Sequence, residues 1–101
     1  MKVAHGFHAT MTARPGKGDE VVELLLDAPS LTDDGCVVFL VGRSATNPDV
    51  VHVTEGWTTA EAHGTFFASE EAQALVAKLR ALLDGEPAHL DAVPVGGKAA
   101  F

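Results

Sequence analysis

The stretch from Cys36 to Trp57 constrains the fold more than any other. Residues 36–42, Cys-Val-Val-Phe-Leu-Val-Gly, are apolar on both faces and read as a strand covered on both sides. Asn47-Pro48-Asp49 turns the chain directly into a second strand at 50–57. There Val51, Val53, Glu55 and Trp57 share one face, and Val50, His52, Thr54 and Gly56 share the other.

What flanks this pair completes the pattern. Residues 3–13 read as a strand with Val3, His5, Phe7, Ala9, Met11 and Ala13 on one face. Arg14-Pro15-Gly16-Lys17-Gly18 breaks it, and Asp19-Glu20 suit the first turn of a helix, whose dipole favours negative charge there. That helix carries Val21, Val22 and Leu24 to Leu26 and ends near Ala28-Pro29, followed by a polar loop to Gly35. After Trp57, Thr58-Thr59-Ala60-Glu61 fits a capping box for a short helix, and Ser69-Glu70-Glu71 marks a second start. Ala72, Leu75, Val76, Leu79, Leu82 and Leu83 then form one apolar stripe at helical spacing. Asp84-Gly85 stops it, and 88–95 supplies a last strand before a Gly-Gly tail.

The order is β-α-β-β-α-β, an α+β, ferredoxin-like fold with a four-stranded antiparallel sheet. At 101 residues, the chain is expected to be a single domain over 1–101. Helices cover one face of such a sheet. The other face, read here as rich in Val, Leu and Phe, needs a cover, so a homodimer through the open sheet face is expected.

A net charge of −7 argues against nucleic acid or an anionic membrane as the main partner. No run approaches the roughly 20 apolar residues of a bilayer span. The start, Met1-Lys2-Val3-Ala4-His5, does not read as a signal peptide, and a cytoplasmic location is expected. The lone Cys36 has no partner for an internal disulfide and reads as a small buried hydrophobe. Gly16-Lys17-Gly18 lacks the full phosphate-loop pattern and reads as a turn.

Glu55-x-Trp57 at a strand end, Glu61-Ala62 and the Ser69-led helix resemble the antibiotic biosynthesis monooxygenase family. The Ala13-Arg14-Pro15-Gly16-Lys17 run and Gly35-Cys36 are similar too. The resemblance implies a dimeric α+β barrel with a pocket in each subunit between sheet and helices. Members studied as enzymes oxidise quinols, anthrones or related polycyclic phenols with molecular oxygen, using no metal or flavin; a haem-degrading branch uses the same pocket. One departure stands out. Nine residues after the strand-end Trp, many quinol-oxidising relatives carry His and the haem branch carries Trp, whereas this chain has Phe66. Leu75 lies near where the haem branch places its iron ligand. Haem degradation is disfavoured on both counts.

Cofactor-free oxygenation asks the protein to deprotonate its substrate and stabilise the resulting anion in a dry pocket. Glu55 is the candidate base if burial raises its pKa, and Trp57 can donate its indole N–H or stack on a flat ring. The structural alternative pairs Glu55 with Arg14 or Arg43. His63 is the candidate proton shuttle if it faces the pocket. Phe7, Phe66 and Phe67 are candidates for a substrate platform, set against a core role shared with Phe39. His5, His8, His52 and His89 lie on three neighbouring strands, but His5 and His8 point to opposite faces and no metal-binding spacing occurs, so no metal is expected. The resemblance implies no other cofactor either.

Two functions therefore compete. One is a cofactor-independent monooxygenase acting on a quinol or polycyclic aromatic. The other is a non-catalytic dimeric barrel that binds a small hydrophobic ligand or serves as a scaffold.

Overall fold

A computed structural model describes residues 2–98; Met1 and residues 99–101, the ends of the expected 1–101 domain, lie outside the described residues. The strands are β1 (His5–Thr12), β2 (Cys36–Arg43), β3 (Val50–Trp57) and β4 (Ala88–Ala92), and the helices are α1 (Gly18–Leu26), α2 (Ala60–Phe67) and α3 (Glu70–Leu82). All four strands pair antiparallel in the order β2-β3-β1-β4. The fold is the ferredoxin-like α+β arrangement expected, with the second helical segment divided into α2 and α3. As a single copy the sheet is open, not closed into a barrel.

Helix starts follow local chemistry. Ser69 caps α3 by accepting from the Ala72 N–H at 3.2 Å. Thr59, not Thr58, caps α2, accepting from the Ala62 N–H at 3.0 Å, so the expected capping box with Glu61 does not form. Thr58 is held back because its own N–H donates to the Gly35 carbonyl. The turn before α1 is built on Asp49, whose two carboxylate oxygens accept from Gly16 N–H and Gly18 N–H, each at 3.0 Å. Gly16 sits at φ 82° there, and any side chain at position 18 would collide with the Pro48 carbonyl. The start of α1 is thus occupied by an internal carboxylate. The expected loop after α1 contains a short 3₁₀ turn, Pro29–Thr32, that buries Ser30.

The core lies between the sheet and the helices α1 and α3. Val21, Val51 and Val53 are at most 1 % exposed, and Ala9, Met11, Leu25, Leu79 and Leu83 close around them. Burying each such aliphatic side chain is worth about 1.5–3 kcal/mol. Period-two alternation sends the opposite set of residues to the face without helices: Val38 and Leu40, Val50, His52 and Thr54, His8 and Thr10, and Leu90. Only one end of that face is covered, where Val3 and Pro94 lie over Gly56 and Gly6. Two expectations need correcting here. The strand β2 is covered by helices on one side only, with Leu40 exposed on the other, and among the described residues the strands present no Phe to the open face, because Phe7 and Phe39 both turn toward the helices.

Candidate functional site

Between sheet and helices lies a cavity of about 600 Å³. Its floor is the helix-facing side of the sheet, and its roof is the inner side of α2 and α3. Register sets one row of that floor. Phe39 of β2 pairs with Glu55 of β3, which pairs with Phe7 of β1, which pairs with Asp91 of β4. Directly opposed residues share a sheet face. Glu55 and Asp91 therefore flank Phe7 from either side, and all of these line the cavity.

Glu55 is the most perturbed carboxylate. Burial pushes its pKa up from 4.5 to about 7, and a hydrogen bond from Trp57 Nε1 at 2.8 Å pulls it partly back. Neither cation offered as its partner reaches it: Arg43 pairs with Asp19 at 2.9 Å, and Arg14 Nε donates to the Leu83 carbonyl. Trp57 is fully buried and does not line the cavity. It stands behind the wall, and its polar edge is spent on Glu55.

A bulge between Cys36 and Val38 sets Cys36 opposite Trp57. Burial, then the charges of Glu55 and Asp33, push the Cys36 thiol up to about 11, which makes it a poor nucleophile. Gly35 matters for the roof: a Cβ there would come within 2.9 Å of the Ala62 side chain, so its absence lets α2 settle over Trp57.

His63 projects from α2 into a nest of rings. Phe7 lies 4.8 Å away, Trp57 5.1 Å, His5 5.1 Å and Phe67 6.2 Å between centroids. Burial, then the neighbouring His5, lower its pKa, with Asp91 opposing. Its Nδ1 lies 3.2 Å from His5 Nε2. Phe66 packs on Trp57 at 5.0 Å and lines the cavity, as do Phe7 and Phe67, the last half-exposed.

The structure thus gathers Glu55, His63, Phe7, Phe66 and Phe67 at one cavity, with Trp57 one layer behind. It adds His5 and Asp91, which no motif singled out. Only strand register, which sets Asp91 beside Phe7, could have found the one, and only the packing of α2 over β1, which brings His63 to His5, could have found the other. His8 and His52 lie on the open face, each hydrogen-bonded to a threonine of the neighbouring strand, Thr54 at 3.1 Å and Thr10 at 3.2 Å. Among the described residues no group of three or more His, Cys, Asp or Glu is arranged to hold a metal ion. No helix there is long and apolar enough to cross a membrane.

This geometry meets an independent observation: the profile of antibiotic biosynthesis monooxygenases matches residues 5–78. The chain belongs to the antibiotic biosynthesis monooxygenase family. Among solved structures, a Chloroflexus aurantiacus J-10-fl protein assigned by name to the same family is 29% identical, with a TM-score of 0.84, covering 94% of this chain and 96% of that one. A Caulobacter crescentus CB15 protein with the same assignment is 23% identical at a TM-score of 0.83, covering 94% and 92%. A Bacteroides thetaiotaomicron VPI-5482 protein, described as a possible oxidoreductase, is 18% identical at 0.80, covering 92% and 99%. The last two speak to the fold alone. No curated protein matches the chain.

Proposed function

We propose that the protein is a monooxygenase that uses no metal or organic cofactor and oxidises a quinol or polycyclic aromatic in the cavity beneath α2. The observation that carries this reading is Glu55, a carboxylate with its pKa near 7 facing an apolar chamber and held by Trp57. A base poised near the working pH is the group such chemistry needs.

The balance runs through Glu55. Its carboxylate takes a proton from the activated carbon of a substrate R₂CH₂, leaving a carbanion stabilised by the aromatic system. The carbanion passes its electrons to O₂, a C–O bond forms, and the product is a peroxide anion. Protonation gives the hydroperoxide. Loss of the remaining C–H proton with cleavage of the O–O bond then yields the ketone and one water. Phe7, Phe66 and Phe67 offer flat surfaces for an aromatic ring in a cavity whose walls are mainly apolar. Family membership and the Chloroflexus relative support this reading.

We also infer a homodimer through the open sheet face. Its support is the absence of any charged residue among the outward-facing strand positions of a chain with net charge −7.

The deciding experiment is oxygen uptake with hydroquinones, naphthoquinols and anthrones, wild type against Glu55→Gln. Uptake above spontaneous autoxidation that falls about a hundredfold or more in the variant supports the reading. Saturable binding of an aromatic without oxygen consumption would favour the second reading, a ligand-binding barrel. Phe66 motivates that alternative, since its ring packs on Trp57 and supplies no group that can move a proton.

A further inference from the structure

Proton accounting leaves one role open beside Glu55. That group removes a proton early, but the peroxide anion needs one later, at a different atom. A source independent of Glu55 would let the second step proceed while the carboxyl is still protonated.

We propose that His5 and His63 form a two-ring proton relay that serves the peroxide stage, with His5 acting through His63. The geometry points to this in three ways. First, the two inner nitrogens, His5 Nε2 and His63 Nδ1, face each other at 3.2 Å, within hydrogen-bond reach. Second, the outer nitrogens, His5 Nδ1 and His63 Nε2, have no hydrogen-bond partner among the described residues, so each ring keeps one free end. Third, both rings are half-buried and line the cavity, and the aromatic packing around His63 fixes its orientation.

The relay works with both rings neutral. His5 carries its proton on Nε2 and donates to His63 Nδ1, which places the His63 proton on Nε2. His63 Nε2–H gives its proton to the peroxide oxygen, the His5 proton moves to His63 Nδ1, and His5 Nδ1 takes a proton from water. One proton enters, one leaves, and no charge stays on either ring. The hydroxide left by that water takes the proton held on Glu55, and the rings, now in exchanged tautomers, return by proton exchange with solvent. The charged and titratable groups lining the same cavity are Glu55 on β3, His89 and Asp91 on β4, Arg80 on α3 and Glu86 beyond it. Of these, Asp91 acts on His63, favouring its protonated form against the burial that disfavours it.

The peroxide role rests on the monooxygenase reading, whereas the shared proton does not. The test therefore has two arms, NMR of the wild-type protein and turnover by His5→Gln. Glutamine can still donate an N–H to His63 Nδ1, so a merely structural role survives, but an amide cannot pass a proton through. In the first arm, ¹⁵N NMR of the free protein at pH 7.5 is expected to show His63 protonated on Nε2 and a coupling across the hydrogen bond to His5 Nε2. Independent rings with no coupling overturn the relay. In the second arm, with a turned-over substrate, His5→Gln is expected to raise the hydroperoxide or H₂O₂ released per O₂ consumed by about tenfold and to shrink the solvent isotope effect. Wild-type values for both overturn the peroxide role. Should the wild type oxidise nothing, the monooxygenase reading falls, and the NMR arm still decides whether the pair shares its proton.

Discussion

Trp57 donates its indole N–H to Glu55 Oε1 at 2.8 Å from two positions further along β3, the spacing that puts both side chains on one face of a strand. The bond favours the carboxylate, and the apolar surroundings disfavour it. Burial is the larger effect, and the balance settles near pH 7.

A base with that balance titrates visibly. Oxygen uptake is expected to rise through about pH 7 and level off above it, because only ionised Glu55 can accept the substrate proton. Glu55→Gln removes the limb along with the rate. A profile flat from pH 5.5 to 8.5 in the wild type would assign the base elsewhere.

The same residue leaves a mark on stability, and its sign is fixed. The folded state binds the Glu55 proton more tightly than the unfolded chain, so the associated stability is fully present below about pH 4.5 and is lost as pH rises through about 7. The gap corresponds to at most about 3 kcal/mol. Glu55→Gln keeps an oxygen for Trp57 and carries no charge. It is expected to gain about 1–3 kcal/mol over wild type at pH 8 and to be near neutral at pH 4.5, read by urea denaturation at the two pH values. An equal effect at both would show that ionisation is not the cause.

Replacing Trp57 by Phe separates shape from hydrogen bonding. Loss of the N–H leaves burial unopposed, so the Glu55 pKa climbs further and the activity limb moves to higher pH. A smaller ring in a fully buried site also costs about 1–3 kcal/mol of stability. Direct ring stacking on the substrate by Trp57 would instead lower turnover at every pH without moving the limb.

Much of this could be read from local pattern. Ser69 caps the helix it heads, β3 alternates as written, and Glu55 and Trp57 fall together because a period of two demands it. Legibility ended where the deciding contact was remote or where two frames fitted equally well. Thr58 and Thr59 can each head α2, and only the Thr58 hydrogen bond to Gly35 selects Thr59. Phe39 sits in a run apolar at every position, so its face could be known only from its pairing with Glu55. His5 and His63 are 58 residues apart, and Asp91 acquires meaning only beside Phe7.

Asp49 offers a control far from the chemistry. Its carboxylate satisfies Gly16 and Gly18 at the start of α1, where the helix dipole adds to the attraction. Asp49→Ala is expected to lower stability by about 1–2 kcal/mol while leaving catalysis per folded molecule unchanged. A loss of turnover larger than the loss of folded protein would tie this turn to the site.

The open face yields the last prediction. Leu40 and Leu90 are 42% and 68% exposed there, on a surface whose strand positions carry no charge. If two copies pack sheet on sheet, a carboxylate in place of Leu40 would be buried without a partner, a cost of several kcal/mol. Sedimentation at micromolar concentration is expected to give twice the 10.5 kDa chain mass for the wild type and the single-chain mass for Leu40→Asp. A wild-type monomer would leave the apolar face of β2 without its proposed cover, and a dimeric Leu40→Asp would move the interface to another surface.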